Sequence, residues 1–359
     1  MMEAVRQLID SVPQPDREAA QRARERWDSL AKPLGSLGLL EDAIVRIAAL
    51  TGSEDIALSP RTLLVFCADN GVVEQGVSQC GSEVTAAVAR ALAEGRSTVS
   101  PMARLAGCAV LPVDVGMRDF RPVPGVLSRR ILNGTADICL GPAMQREDCL
   151  SAVLAGAALS RTEAEKGTKL LAAGEMSIGN TTTASAVTAA LLGCPAAEVT
   201  GRGAGLSRAG LERKIRVIEK ALALNRPDPE DALDVLAKVG GLEIAAMCGA
   251  YLGAAACRVP ILIDGCISAA AALCAVRLCP AAASAMVASH GSAEPAAKKL
   301  LDALGLPPLI TAGMRLGEGS GAVAAMPLLD MALAVYRSGQ SFAKLGIAPY
   351  VPQDEGEAP

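Results

Sequence analysis

Glu318 stands between glycines in Met314-Arg315-Leu316-Gly317-Glu318-Gly319-Ser320-Gly321-Ala322, just ahead of an apolar stretch. A carboxylate held there can act as a general base where burial brings its pKa toward neutrality. The plainer reading is that it complements the dipole of the helix that follows. A second segment, Gly174-Glu175-Met176-Ser177-Ile178-Gly179-Asn180-Thr181-Thr182, follows one apolar run and opens another. Its glycines let backbone approach a ligand, and free N–H groups at a helix start attract phosphate. Ordinary capping by Thr or Asn would leave the same trace. No GK[ST] is present, so it is not a Walker sequence. In Thr200-Gly201-Arg202-Gly203-Ala204-Gly205-Leu206 the glycines alternate and do not match the dinucleotide fingerprint. Lys214, on the helix that follows, is a surface charge unless a phosphate sits opposite it. His290 is the only histidine, in Ser289-His290-Gly291-Ser292-Ala293-Glu294-Pro295. No GxSxG elbow accompanies it, which favours a loop or ligand-lining residue over a hydrolase triad.

Such groups need a frame. Residues 1–57 read as helical: 18–30 is polar with apolar punctuation, 39–50 is amphipathic, and the turn-rich 32–38 joins them. From residue 60, short apolar runs alternate with helical stretches, the pattern of a parallel sheet covered on both faces. Five runs, 62–66, 109–112, 169–173, 260–263 and 283–288, lead to Asp69, Asp114, Glu175, Asp264 and Ser289-His290. Ligands of open parallel sheets bind beyond the carboxyl ends of the strands, so the five ends predict one shared site. The alternative is that strand ends are simply where chains become polar. Residues 118–148 read as an irregular excursion, 320–336 as an apolar helix and 353–359 as a disordered tail.

Composition narrows the function classes. Of 359 residues, 51% are hydrophobic and 20% charged, enough for one large α/β core. Aromatics reach only 2%, so that core is built from small and aliphatic side chains. A formal net charge of -4 without a single-sign block gives no footprint for nucleic acid or an anionic membrane. The first residues, MMEAVRQLID, do not read as a signal peptide, and 176–197 reads as a loop and buried helix rather than a membrane span. Eleven cysteines without a CxxC pair predict reduced thiols and a cytoplasmic protein. With one histidine and no finger-like spacing, no zinc site is expected.

Nine blocks, taken in order, carry a family resemblance: KPLGSLG at 32–38, ADNGVVEQGVS at 68–78, NGTADI at 133–138, GPAM at 141–144, GEMSIGNTT at 174–182, GGLEIAAMCGAYLGAA at 240–255, PILIDGCISAAAAL at 260–273, SAEP at 292–295 and MRLGEGSGA at 314–322. From about residue 32 to 336 the chain resembles nicotinate-nucleotide–dimethylbenzimidazole phosphoribosyltransferases. The resemblance implies a dimeric α/β fold: a Rossmann-like parallel sheet flanked by helices, with a small helical domain from both chain ends. Residues 1–57 would begin the small domain and 58–300 form the large one. Residues 301–359 would carry the catalytic loop and complete the small domain.

It also implies transfer of ribose 5-phosphate from nicotinate mononucleotide to a benzimidazole-type base, giving an α-ribazole phosphate for the lower ligand of cobalamin. By resemblance Glu318 is the general base, with Glu175 beside the ribose. Ser177, Gly179, Asn180, Thr181, Gly203, Lys214, Asp264 and Ser292 are implied to hold the phosphoribosyl group. Ser78, Cys80, Met314, Leu316 and Gly317 are implied to hold the base. No metal or cofactor is implied, since the leaving group departs from a cationic pyridinium. The chain departs from the family pattern at Asn70, where histidine is common, and at Cys80 and Cys266, where aromatics are common. An aspartate often found before MRLGEG is missing at 311–313. These departures bear on base preference rather than reaction type. The competing readings are a non-catalytic nucleotide sensor on the same fold, which has no need of Glu318, and a Rossmann oxidoreductase, weakened by the missing GxGxxG.

Overall fold

The computed structural model describes residues 1–350; the expected tail at 353–359 lies outside them. Six strands form one sheet: β1 (Arg61–Ala68), β2 (Cys108–Gly116), β3 (Leu127–Ser128), β4 (Leu170–Met176), β5 (Ile261–Ile263) and β6 (Met286–Ala288). Their order is β3-β2-β1-β4-β5-β6, and every pairing is parallel. That is the doubly wound order, and its reversal between β1 and β4 opens a crevice at the carboxyl ends.

The sheet is buried on both faces, and alternate residues sort to opposite cores. Leu64, Phe66, Leu171, Ala173, Ile261 and Ile263 join one core with the long central helices. Leu63, Val65, Leu170, Ala172 and Leu262 join the other. On that second face lie the helices Arg17–Ser29 and Leu39–Thr51, with the Ser320–Ser338 helix from the far end of the chain. Trp27 and Tyr336 meet there, ring centroids 5.2 Å apart. The low aromatic content has a packing counterpart. The helices Arg146–Glu165 and Leu242–Ala256 approach so closely that a Cβ on Gly156 or Gly249 would fall 1.8 Å from a facing backbone oxygen.

Two expectations change. The 118–148 excursion contains β3, which pairs with Val113 and Asp114 of β2. The first half of the run at 283–288 belongs to a 3-10 turn (Pro280–Ala285), and only Met286–Ala288 joins the sheet.

Candidate active site

The turn around Glu318 is the most constrained backbone near the strand ends. Gly317, Glu318 and Gly319 take φ values of 91°, 58° and 81° in succession. Glycine adopts this region freely, but a glutamate there costs on the order of 1 kcal/mol and persists only where its surroundings impose it. Three contacts impose it. The Glu318 N–H donates to the Glu175 carbonyl at 3.2 Å, tying the turn to the end of β4. Gly174 and Gly319 pack backbone to backbone, so that a Cβ on Gly174 would stand 2.6 Å from the Gly319 nitrogen. Asp264, after β5, accepts from the N–H groups of Gly321 (2.7 Å) and Ala322 (3.1 Å), capping the helix that follows. The Glu318 side chain is buried, and its Oε2 accepts from the Val99 N–H at 3.0 Å. Among the described residues its other oxygen has no hydrogen-bond partner, and the carboxyl lines a cavity of about 290 Å³.

That cavity gathers acids. Glu175 and Asp264 line it beside Glu318, and both are buried. Burial first, then the neighbouring Asp264, Glu243 and Glu318, hold the Glu175 carboxyl well above the usual carboxylate range. The Asn180 amide donates to Glu175 Oε2 and opposes part of that shift. Burial also raises Asp264, opposed by His290 and by the N–H groups it caps. Charge on one buried carboxyl disfavours charge on its neighbour, which is why Asp264 adds to the upward shift of Glu175.

Next to Glu175 the cavity also meets a cation. The Asn180–Leu192 helix begins there, with Thr181 in its first turn. Lys214 is fully buried, contrary to a surface charge, and forms no salt bridge among the described residues. Its Nζ donates to Thr181 Oγ1 at 2.7 Å and to the Gly201 carbonyl at 3.3 Å, leaving one of three ammonium protons unused. Burial pushes its pKa down to about 8, despite the opposing charge of Glu294. Gly203 (φ 52°) closes over this corner: a Cβ on it would stand 2.9 Å from Thr181 Oγ1. A buried cation beside a helix N-terminus is suited to a phosphate.

The expected residues divide. Glu175, Ser177, Asn180, Thr181 and Gly203 line the cavity, as do Asp264, Ser292 and Glu318. Cys80, Leu316 and Gly317 line it as well. Lys214 touches it through Thr181. Gly179, Ser78 and Met314 lie outside the lining. Gly179 is the helix N-cap at φ 94°, its Cβ direction blocked by Val73 at 2.9 Å and Asn70 at 3.1 Å. A side chain there would disturb the helix start. Ser78 accepts from the Cys80 N–H at 3.3 Å, and the Met314 carbonyl accepts from Ala293 N–H at 3.0 Å. Gly179→Val is therefore expected to lower Tm by several degrees, a cost of roughly 1–3 kcal/mol. Thermal melts check this; an unchanged Tm with selectively weakened nucleotide binding would restore the ligand-approach role.

Two of the four strand-end acids do other work. Asp114 accepts from the N–H groups of Gly116 (3.0 Å) and Met117 (2.9 Å) and pairs with Arg130. Asp69 accepts from the Arg118 N–H at 2.8 Å. Neither lines the cavity. Val84, Ile178, Ile267, Glu294 and Arg315 line it as well, and none of the five was singled out as a site residue by itself, although Ile178 and Ile267 fall in segments expected to border the substrates. Ile178 and Glu294 lie inside motifs already singled out, whereas Val84 arrives from a helix with no motif of its own. A separate groove of about 410 Å³ between the Leu39–Thr51 helix and β6 is lined by none of these site residues.

Comparison with known proteins agrees with this geometry. Residues 12–347 match the family model described as a phosphoribosyltransferase. The nicotinate-nucleotide–dimethylbenzimidazole phosphoribosyltransferase of Acetivibrio thermocellus is 44% identical over 97% of this chain and 99% of its own. That of Chloroflexus aggregans is 47% identical over 97% of this chain and 99% of its own. The crystal structure of CobT from Thermus thermophilus, 41% identical, superposes with a TM-score of 0.88 over 92% of this chain and 99% of that one.

Proposed function

The chain belongs to this phosphoribosyltransferase family, and from that premise we propose how its residues divide the work. The reaction is transfer of ribose 5-phosphate from nicotinate mononucleotide to 5,6-dimethylbenzimidazole or a related base, giving α-ribazole 5′-phosphate and nicotinate. The observation that carries the assignment of roles is one cavity that brings the Glu175, Asp264 and Glu318 carboxyls together with the corner of a buried lysine that has no salt bridge among the described residues.

The phosphate sits against Lys214, Thr181 and the helix N-terminus. This places C1′ among the acids. A nitrogen lone pair of the incoming base forms the bond to C1′ from the face opposite nicotinate. The C1′–nicotinate bond breaks, its electron pair neutralises the pyridinium nitrogen, and configuration inverts from β to α. The acceptor's ring N–H proton passes to Glu318. Ionised carboxylate in the Glu175–Asp264–Glu318 cluster stabilises positive charge at C1′, while protonated Glu175 can donate to a ribose hydroxyl. Holding both substrates in one small cavity supplies the rest, because preorientation alone contributes several kcal/mol to such displacements. The sensor reading has no use for a strained carboxylate at this point.

The same reading keeps residues 1–57 and the described part of 301–359, which ends at 350, as a small helical domain, supported by the Trp27–Tyr336 packing. It includes a cytoplasmic homodimer, supported by unpaired cysteines and by the exposed Met331 and Val335, one turn apart on the Ser320–Ser338 helix.

The test is nicotinate release that depends on an added base, with the product identified by mass spectrometry. A panel of bases also tests the pocket. Cys80, Cys266, Val84, Ile178, Ile267 and Leu316 line the cavity, and its lining holds no Phe, Tyr or Trp, only the imidazole of His290. Ring stacking would add roughly 0.5–1.5 kcal/mol per pair, and one or two methyl groups alter affinity by about 1–3 kcal/mol even in a close fit. Benzimidazole and its methylated forms are therefore expected to differ by no more than roughly tenfold in kcat/KM. A preference above about a hundredfold for the dimethylated base would show that small walls do not loosen selection.

A further inference from the structure

Behind the cavity wall lies a buried polar array that the chemistry above does not use. Glu243 is fully buried in the first turn of the Leu242–Ala256 helix. Asn70, after β1, donates through Nδ2 to Glu243 Oε1 at 3.1 Å and to Ser177 Oγ at 2.8 Å. Ser177, after β4, lines the cavity. Both amide hydrogens of Asn70 are thereby used, and the Ser177 oxygen accepts one of them. That leaves the Ser177 hydroxyl hydrogen two directions: toward the Glu243 carboxylate when that group is charged, or into the cavity beside it when it is not.

We propose that the facing Glu243 and Asn70 side chains act as a positioning pair that fixes the Ser177 hydroxyl as a hydrogen-bond donor to the bound nucleotide. The inference rests on the phosphoribosyl-transfer reading for the identity of that nucleotide. An Asn amide can turn either its oxygen or its nitrogen toward a neighbour. Turned the other way, Asn70 would accept from Ser177 and draw its hydroxyl hydrogen out of the cavity. Glu243 decides between the two. Its Oε1 takes one amide hydrogen, and its Oε2 and Asn70 Oδ1 are both buried without a partner among the described residues. Those two oxygens face one small space: a Cβ on Gly241 would stand 2.7 Å from each. A proton on Oε2 would be shared with Oδ1 and close an acid–amide pair with two hydrogen bonds.

The charge environment favours that proton. Burial pushes Glu243 up to about 7, with Asp69 adding to the shift, opposed by its own helix N–H, Asn70 and Ser177. Glu175 is the other carboxyl within its field, and Arg118 offsets Asp69. The acid form therefore predominates below about pH 7, where the pair is closed. As pH rises through that value, two bare oxygens face each other and the pair loosens.

The experiment is a steady-state series at saturating benzimidazole, varying nicotinate mononucleotide from pH 6.5 to 8.5. Glu243→Gln supplies a permanent N–H in place of the acid proton. It is expected to keep the wild-type KM near pH 6.5 and to show a smaller rise in KM at alkaline pH. Glu243→Leu and Gly241→Ala, which break or displace the pair, should raise KM roughly tenfold with kcat within about twofold, the size of one hydrogen bond. Ser177→Ala should raise KM similarly, and adding Glu243→Leu to it should change nothing further. The proposal is overturned if Glu243→Gln is as impaired as Glu243→Leu, or if Glu243→Leu leaves KM unchanged. An equal rise when Glu243→Leu is added to Ser177→Ala also overturns it. Should Glu243→Leu not fold, the wild-type and Glu243→Gln pH profiles decide, and identical profiles overturn it. Wild-type turnover in the same series tests the transfer reading separately.

Discussion

Glu318→Gln should lower turnover by ~10²–10⁴ while leaving the fold and nucleotide binding close to wild type. The substitution keeps the side chain's length and an oxygen able to accept from the Val99 N–H, now 3.0 Å from Oε2. It keeps a residue with a Cβ at φ 58°, so the turn between Gly317 and Gly319 carries the same strain in both proteins. What it removes is a site for the acceptor's proton. Without that site the base must attack in its neutral form and carry a positive charge into the product complex. In the proposed pose Glu318 serves the acceptor base and not the phosphate, so the loss should fall on kcat, with KM for nicotinate mononucleotide changed by no more than about threefold. Single-turnover measurements at saturating substrates separate this from a binding defect. Turnover within about fivefold of wild type near pH 7 would assign proton removal to another group, with Glu175 the nearest candidate.

The sheet was legible because parallel strands buried on both faces read as unbroken apolar runs, and β1, β2, β4 and β5 do so. β3 was not. Two residues carry no periodicity, and Leu127–Ser128 is extended only because Val113 and Asp114 pair with it. The acids at strand ends could not be sorted by sequence. Asp114 and Asp264 follow the same pattern and both accept backbone N–H groups, yet only Asp264 caps the helix that carries Glu318 into the cavity. The difference lies in which strand neighbours which, and that is set by tertiary order. Glu243 did leave a trace. It is the single charge in LEIAAMCGAYLGAAA, and a lone carboxylate in an otherwise apolar, fully packed helix implies a partner or a proton. The trace shows that the group is buried but not that Asn70, distant in sequence, is what it meets.

Lys214 left no local trace either, and its burial leads to the second large effect. Lys214→Met should raise KM for nicotinate mononucleotide by roughly 10- to 150-fold, the loss of a charge-assisted bond of about 1.5–3 kcal/mol. The base's KM should move little. A lysine kept for structure predicts the opposite balance, a lower Tm with modest kinetic change, so stability is the discriminating readout. Burial has lowered this ammonium from 10.5 to about 8, which corresponds to roughly 3 kcal/mol against the charged form in the folded protein. A group whose folded pKa is depressed in this way weakens the fold while it is charged. That penalty is fully present below about pH 8 and is relieved as pH rises toward 10.5. Methionine fills similar space without the charge, so Lys214→Met should melt at or above the wild-type temperature at pH 7. It gives up only the bonds to Thr181 and the Gly201 carbonyl. In the wild type the phosphate offsets the penalty, so binding should take up a proton above about pH 8, and affinity should fall as pH rises through that value. Isothermal titration in buffers of different ionisation enthalpy reads that uptake directly. Proton uptake that persists in Lys214→Met, or a Tm several degrees lower, would remove Lys214 from the phosphate and leave the helix N-terminus at Asn180 and Thr181 to hold it.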